Sequence, residues 1–164
     1  MSAYHLGVTL HVLAALLWLG GMFFLAAVGA PVLRRVEPPA LRARLFRELG
    51  ERFRAVGWAC IGVLLVTGTA NLWFRGWWGM EVWGSGAFWA SRPGRALGWK
   101  LAAVAVMVAA SAVHDFVQGP RAARLAPGTP EAVAARSRAA WLARVNAAVG
   151  IVLVAVAVRL ARGG

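Results

Sequence analysis

Apolar residues fall into four long runs, divided by connections rich in arginine or in aromatic residues. The first, about residues 6–30, carries no charge. The second, 53–74, has Arg54 near its start, and the third, 96–117, contains Lys100, His114 and Asp115. The fourth, 141–160, has Arg144 and Asn146 near its beginning. Each approaches the ~20 apolar residues that take a helix across a hydrocarbon core about 30 Å thick. The pattern predicts an all-α integral membrane protein. It is a four-transmembrane-helix bundle, one domain over residues 1–164, with no internal repeat and no soluble domain. The first run is expected to be a retained helix and not a signal peptide. No Lys or Arg precedes Arg34, and the run exceeds a signal h-region of about 7–15 residues despite its Val28-Gly29-Ala30 end.

The connections give direction. Pro39 to Arg54 alternates Leu41, Leu45, Phe46 and Leu49 with Arg and Glu. That is an amphipathic segment in the first cytoplasmic loop, expected to lie along the anionic inner leaflet. Pro120, Pro127, Gly128 and Pro130 mark a turn before the fourth helix. The first and third connections carry seven and five basic residues, twelve on one side against six on the other. The positive-inside bias therefore predicts both termini outside, with the middle loop beside them. Trp77, Trp78, Trp83, Phe88 and Trp89 in that loop suit an interfacial aromatic belt, or a lid over a site opening outward.

Composition narrows the class further. Of 164 residues 60% are hydrophobic, yet the formal net charge is +12. A nucleic-acid binder would explain the charge and not the hydropathy, so a nucleic-acid partner is excluded. Nine Trp and seven Phe exclude a disordered chain, and the single Cys60 excludes a disulfide scaffold. The remaining class is a multi-pass protein of a bacterial cytoplasmic (inner) membrane, in contact with the lipid bilayer.

Polar residues inside spans are costly and face the bundle interior, so they mark candidate chemistry. Helical spacing puts His11, Ala15, Trp18 and Met22 on one stripe, and Cys60, Leu64, Thr67 and Asn71 on a second. Lys100, Met107, Ser111 and His114 form a third, and Asn146, Gly150, Leu153 and Ala157 a fourth. By helical rise His11 lies ~7–8 Å, and Lys100 ~6 Å, below the outer edge of its helix. The expected outer layer is His11, Lys100, Asn71 and Thr67. The inner layer is His114, Asp115, Asn146 and Arg144, joined by Arg54. Lys100 is the only Lys among eighteen basic residues. It either snorkels beside Trp99 or serves a site where the proton must be able to leave, which a guanidinium cannot match. His114-Asp115 is an ion-paired helix end or a second polar site, and Asn146 an interhelical hydrogen-bonder. His5 falls on another face and is left out. As an axial imidazole His11 suits haem, with Ala102, Ala103, Ala109, Ala110, Ala147, Ala148 and Gly150 small enough to face the macrocycle. As a Cu(I) ligand set, His11 and His114 with Met22, Cys60 and Met107 offer imidazole, thioether and thiol, though few of them.

The chain resembles the copper-resistance D (CopD) family and, along its length, HemJ-type protoporphyrinogen oxidases. The residues that carry the likeness are His11 with Trp18-Leu19-Gly20-Gly21, Arg52-Phe53, Thr67-Gly68, and Gly94-Arg95-Ala96-Leu97-Gly98-Trp99-Lys100. His114-Asp115 departs from the Asn-Arg pair expected to close the third helix. The resemblance implies a four-helix core. In the HemJ branch it implies haem b held by His11 and Lys100 in an oxidoreductase, and in the CopD branch copper homeostasis. A quinone, a periplasmic redox or copper protein, and a second copy in a homo-oligomer are the partners these readings admit. A structural subunit of a larger membrane complex, without its own cofactor, is the third reading.

Overall fold

The computed structural model describes residues 2–125 and 129–161, so Pro127 and Gly128 of the expected turn lie outside the described residues. Helix α1 spans Ala3–Leu33 and α2 spans Pro39–Phe74. Two short helices of the middle loop come next, α3 (Met80–Trp83) and α4 (Gly86–Ala90). Helix α5 starts as Arg92–Ala112 and continues through Val113–Gln118 to Gly119–Arg124, and α6 is Pro130–Ala161. No strand occurs among the described residues. The four long helices are each long and apolar enough to cross a membrane, which makes this a multi-pass membrane protein. Leu16, Val66, Trp99 and Ile151 are among the large apolar side chains left exposed, as contact with lipid requires.

Local chemistry starts and stops these helices. Ser2 caps α1, its Oγ accepting from the His5 amide at 3.4 Å, and Ser91 caps α5, accepting from Gly94 N at 3.1 Å. Thr129 Oγ1 accepts from Ala132 N at 3.2 Å ahead of α6. Helix α2 ends at Gly76, whose φ of 69° reverses the chain. Gly76 N donates to Trp73 O and Trp77 N to Leu72 O, both at 2.9 Å, which satisfies two terminal carbonyls. The amphipathic Pro39 to Arg54 stretch is helical as expected, and it runs unbroken into the second span. An ion pair from Arg44 Nε to Glu48 Oε1, at 2.7 Å, braces this extension one turn apart.

Helix α1 packs along α2, and α5 along α6, with α1 also touching α6. Glycines set the spacing within the first pair. A Cβ on Gly68 would stand 3.4 Å from the His11 ring, on Gly57 3.5 Å from Trp18, and on Gly21 2.3 Å from Phe53. In the second pair Gly150 receives Leu19 and Met107. All four predicted stripes face inward, and Trp18, Leu19, Cys60, Ile61 and Met107 form the core with Ala14.

The two hairpins share one plan that the sequence does not announce. The α-helical part of α1 runs 22 residues and that of α5 runs 21, and each then widens into a π-helical segment, Leu25–Gly29 and Val113–Gln118. Each π segment ends two residues before a proline, Pro31 or Pro120. A proline inside a helix lacks an N–H and crowds the carbonyl four residues back, and a wider turn ahead of it relieves both problems. Trp18 and Met107, buried at matching heights, each meet a glycine of the returning helix. The correspondence is one of helix length, proline position and glycine packing, and the side chains differ.

Close approach predicts which glycines tolerate a methyl group. On Gly94 a Cβ would lie 1.9 Å from the Phe88 carbonyl oxygen, whereas Gly20 and Gly62 have open space. In thermal unfolding of the detergent-solubilised protein, Gly94→Ala should destabilise by about 2 kcal/mol or more, because backbone must move. Gly20→Ala should be neutral or mildly stabilising.

Candidate functional site

The outer layer is built where α1 meets α2. Thr67, buried on α2, donates its hydroxyl hydrogen to the Val63 carbonyl one turn back, at 2.6 Å. A hydroxyl has one hydrogen, so Thr67 Oγ1 can only accept from its other neighbour, His11 Nδ1, at 2.8 Å. In that arrangement Nδ1 is the donor, and the ring is tied to α2 through it. A ring fixed through one nitrogen by a protein acceptor is the usual preparation of a metal-binding or basic imidazole. Gly68 lets the ring lie against α2. The Thr67-Gly68 pair thus holds His11 by both hydrogen bond and shape.

Lys100 and Asn71 join the same layer. Lys100 is half-buried on α5 and Asn71 on α2. His11 and Lys100 are each the ninth residue of their helix. Asn71 Oδ1 is buried without a hydrogen-bond partner, beside the space left by Gly7. The middle loop is held together by its own aromatic contacts. Phe88 and Trp89 pack edge to face at 5.2 Å, Trp83 and Trp89 at 5.6 Å, and Trp77 and Phe88 at 5.6 Å. Trp83 Nε1 donates to the Trp77 carbonyl at 2.8 Å and Trp89 Nε1 to the Trp83 carbonyl at 2.9 Å. Arg75 lies 5.2 Å over the Trp77 ring. The glycines of the Gly94 to Lys100 run have a packing role, Gly94 against Phe88 and Gly98 against Trp89.

Below His11 three sulfur-bearing residues take part in one apolar core. Cys60 and Met107 belong to the buried core, with Met22 packed against it. Asn146 bridges the helices there, its Nδ2 donating to Ser111 Oγ at 3.0 Å and standing 3.6 Å from Met22 Sδ. Asn146 Oδ1 remains without a partner.

The inner layer sits on the π-helical stretch of α5. His114 Nδ1 and Asp115 Oδ1 pair at 2.9 Å, Trp58 Nε1 donates to Asp115 Oδ2 at 3.0 Å, and Arg54 Nη1 reaches the Asp115 carbonyl at 3.5 Å. The pair is not a helix end, because α5 continues to Arg124. Arg144 does not join it and is exposed on α6. Trp58 was missed by the polar stripes, yet its place one turn from Arg54 on the inner half of α2 was the available signal. His5 bonds Ser2 Oγ at 2.6 Å on the exposed cap, away from both layers.

No group of three or more His, Cys, Asp or Glu gathers among the described residues. An ion would instead meet single imidazole and sulfur donors in succession. The alanines expected opposite a haem are dispersed. Ala147 and Gly150 are packed in the interior, while Ala102 and Ala103 line an apolar groove of about 300 Å³ between α5 and α6, with Trp99 and Val149. Trp18, Leu19, Ile61 and Met107 fill the axis beneath His11. The helices as packed do not open for a macrocycle beside His11.

Fold and layers together define a four-span membrane protein with an imidazole-and-sulfur interior. A family model described as Copper resistance protein D (CopD) matches residues 47–160, and the chain belongs to that family. It is also 32% identical over 155 residues to a protein of Aquifex aeolicus (strain VF5) described as uncharacterized, covering 94% of this chain and 92% of that one. No solved structure matches.

The His11 tether is open to test. Thr67→Val keeps the shape and removes the acceptor, leaving a buried N–H unpaired at a cost of about 1–3 kcal/mol in thermal unfolding. Thr67→Ser should retain most of the stability.

Proposed function

We propose that the protein handles copper as cargo, passing or holding Cu(I) along the bundle axis of a bacterial cytoplasmic membrane. The observation that carries this reading is that Cys60, Met107 and Met22 share one apolar core in a bundle with His11 and His114 on either side of it along the helices. Cu(I) favours thiolate, thioether and imidazole ligands and binds well at low coordination number, so a succession of single donors suits it. The family description points to the same metal. His11 would take the ion at the outer layer through Nε2. The sulfur atoms would hold it in the dry centre, and His114, beside Asp115, would receive it at the inner end. A periplasmic copper-carrying protein is the partner this route calls for.

Copper accumulation in cells expressing the chain tests it, measured by metal analysis. Wild type should change accumulation, and Met107→Leu should lose most of the change, since that swap conserves volume while removing the thioether. Accumulation equal to the empty-vector control would end the copper reading.

The outer layer supports a second reading, haem b with His11 as axial ligand and Lys100 as second ligand or propionate partner, in an oxidoreductase. Its support is the anchored Nδ1 of His11 and the equal height of Lys100. It requires α1 and α5 to part, because core side chains fill the axis below. Oxidised and reduced absorption spectra of the protein purified after haem supply separate the two readings. A Soret band lost in His11→Ala would favour haem, and its absence would remove it.

A further inference from the structure

The arginine-rich end of the bundle holds a cleft that neither reading uses. Gln118 and Arg121 of α5 and Ala135 and Arg138 of α6 enclose about 110 Å³ where α5 leaves its π-helical stretch. The two guanidinium groups come from different helices, and neither forms an ion pair with a carboxylate among the described residues. Like charges held across a small space repel, and an anion between them reverses the sign of that interaction. Gln118 adds a carbonyl oxygen, Oε1, that is buried without a hydrogen-bond partner. It can only accept. A group that offers anionic oxygens to the arginines and a hydroxyl hydrogen to Gln118 would satisfy all three side chains. A halide or a fully deprotonated carboxylate lacks the second feature.

We propose that this cleft binds a hydroxyl-bearing phosphate group, either a free hydrogen phosphate ion or a phosphate in a lipid headgroup with a neighbouring hydroxyl. Arg121 and Arg138 each offer a planar fork of N–H donors matched to phosphate oxygens. Gln118 Oε1 accepts from the hydroxyl. The bound group ties α5 to α6 at the point where the widened helix ends, and so braces the segment that carries His114 and Asp115.

Thermal unfolding of the full chain in detergent tests this, with phosphatidylglycerol, phosphatidylcholine or inorganic phosphate added. Phosphatidylglycerol or inorganic phosphate should raise Tm by about 3 °C or more, and phosphatidylcholine should not. A response to the lipid alone identifies a headgroup site, and a response to phosphate alone a free-ion site. The shift should vanish in R121Q/R138Q and persist in the distant control R35Q/R47Q. R121K/R138K keeps the charge but not the fork and should need about tenfold more ligand for half the shift, which serves if the neutral variant fails to fold. No shift in wild type, an unchanged half-point in R121K/R138K, or equal loss in the control would overturn the proposal.

Discussion

How closely α1 and α2 approach decides most of what this molecule presents. Their contact is made of rings laid against glycines, His11 on Gly68, Trp18 on Gly57 and Phe53 on Gly21. In lipid, helices gain little from hiding apolar surface and associate through close packing and interhelical hydrogen bonds instead. The glycines supply the first and thereby permit the second, since only at this distance does Nδ1 of His11 reach Thr67. The tether of the imidazole thus stems from the absence of side chains on the opposite helix. A bulkier residue at Gly68 would alter the chemistry of His11 without touching a polar atom.

Interior packing has a second effect. The core between the two polar layers is closed by side chains, with Met107 wholly buried. Thioethers are soft and deformable, and they fill space as hydrocarbons do while retaining lone pairs. Cys60, Met22 and Met107 therefore serve as packing residues in a bundle that still offers donor atoms along its axis.

Four spans, their inward stripes and the pairing in depth of His11 with Lys100 were legible from hydropathy and helical rise, because lipid enforces helices and penalises buried polar groups. Thr67 was legible as a level and not as a hydrogen-bond acceptor, since its partner lies on another helix. The shared core of the sulfur residues was not legible at all: Met22, Cys60 and Met107 look sparse in order along the chain and enter one core only through packing. The extra residue in each π-helical stretch shifts helical phase, so counting by the α-helical period misplaces the residues beyond it.

The shared plan of the two hairpins carries one more consequence. Equivalent frameworks, with the same proline after the same widened turn, place an imidazole at one ninth position and an amine at the other. The helix plans correspond, and the chemistry on them does not. A symmetric dimer of identical hairpins would have to present like groups in pairs, two imidazoles or two amines. Joining the halves in one chain frees each to specialise, so that an imidazole and an amine stand at corresponding positions of the two helices.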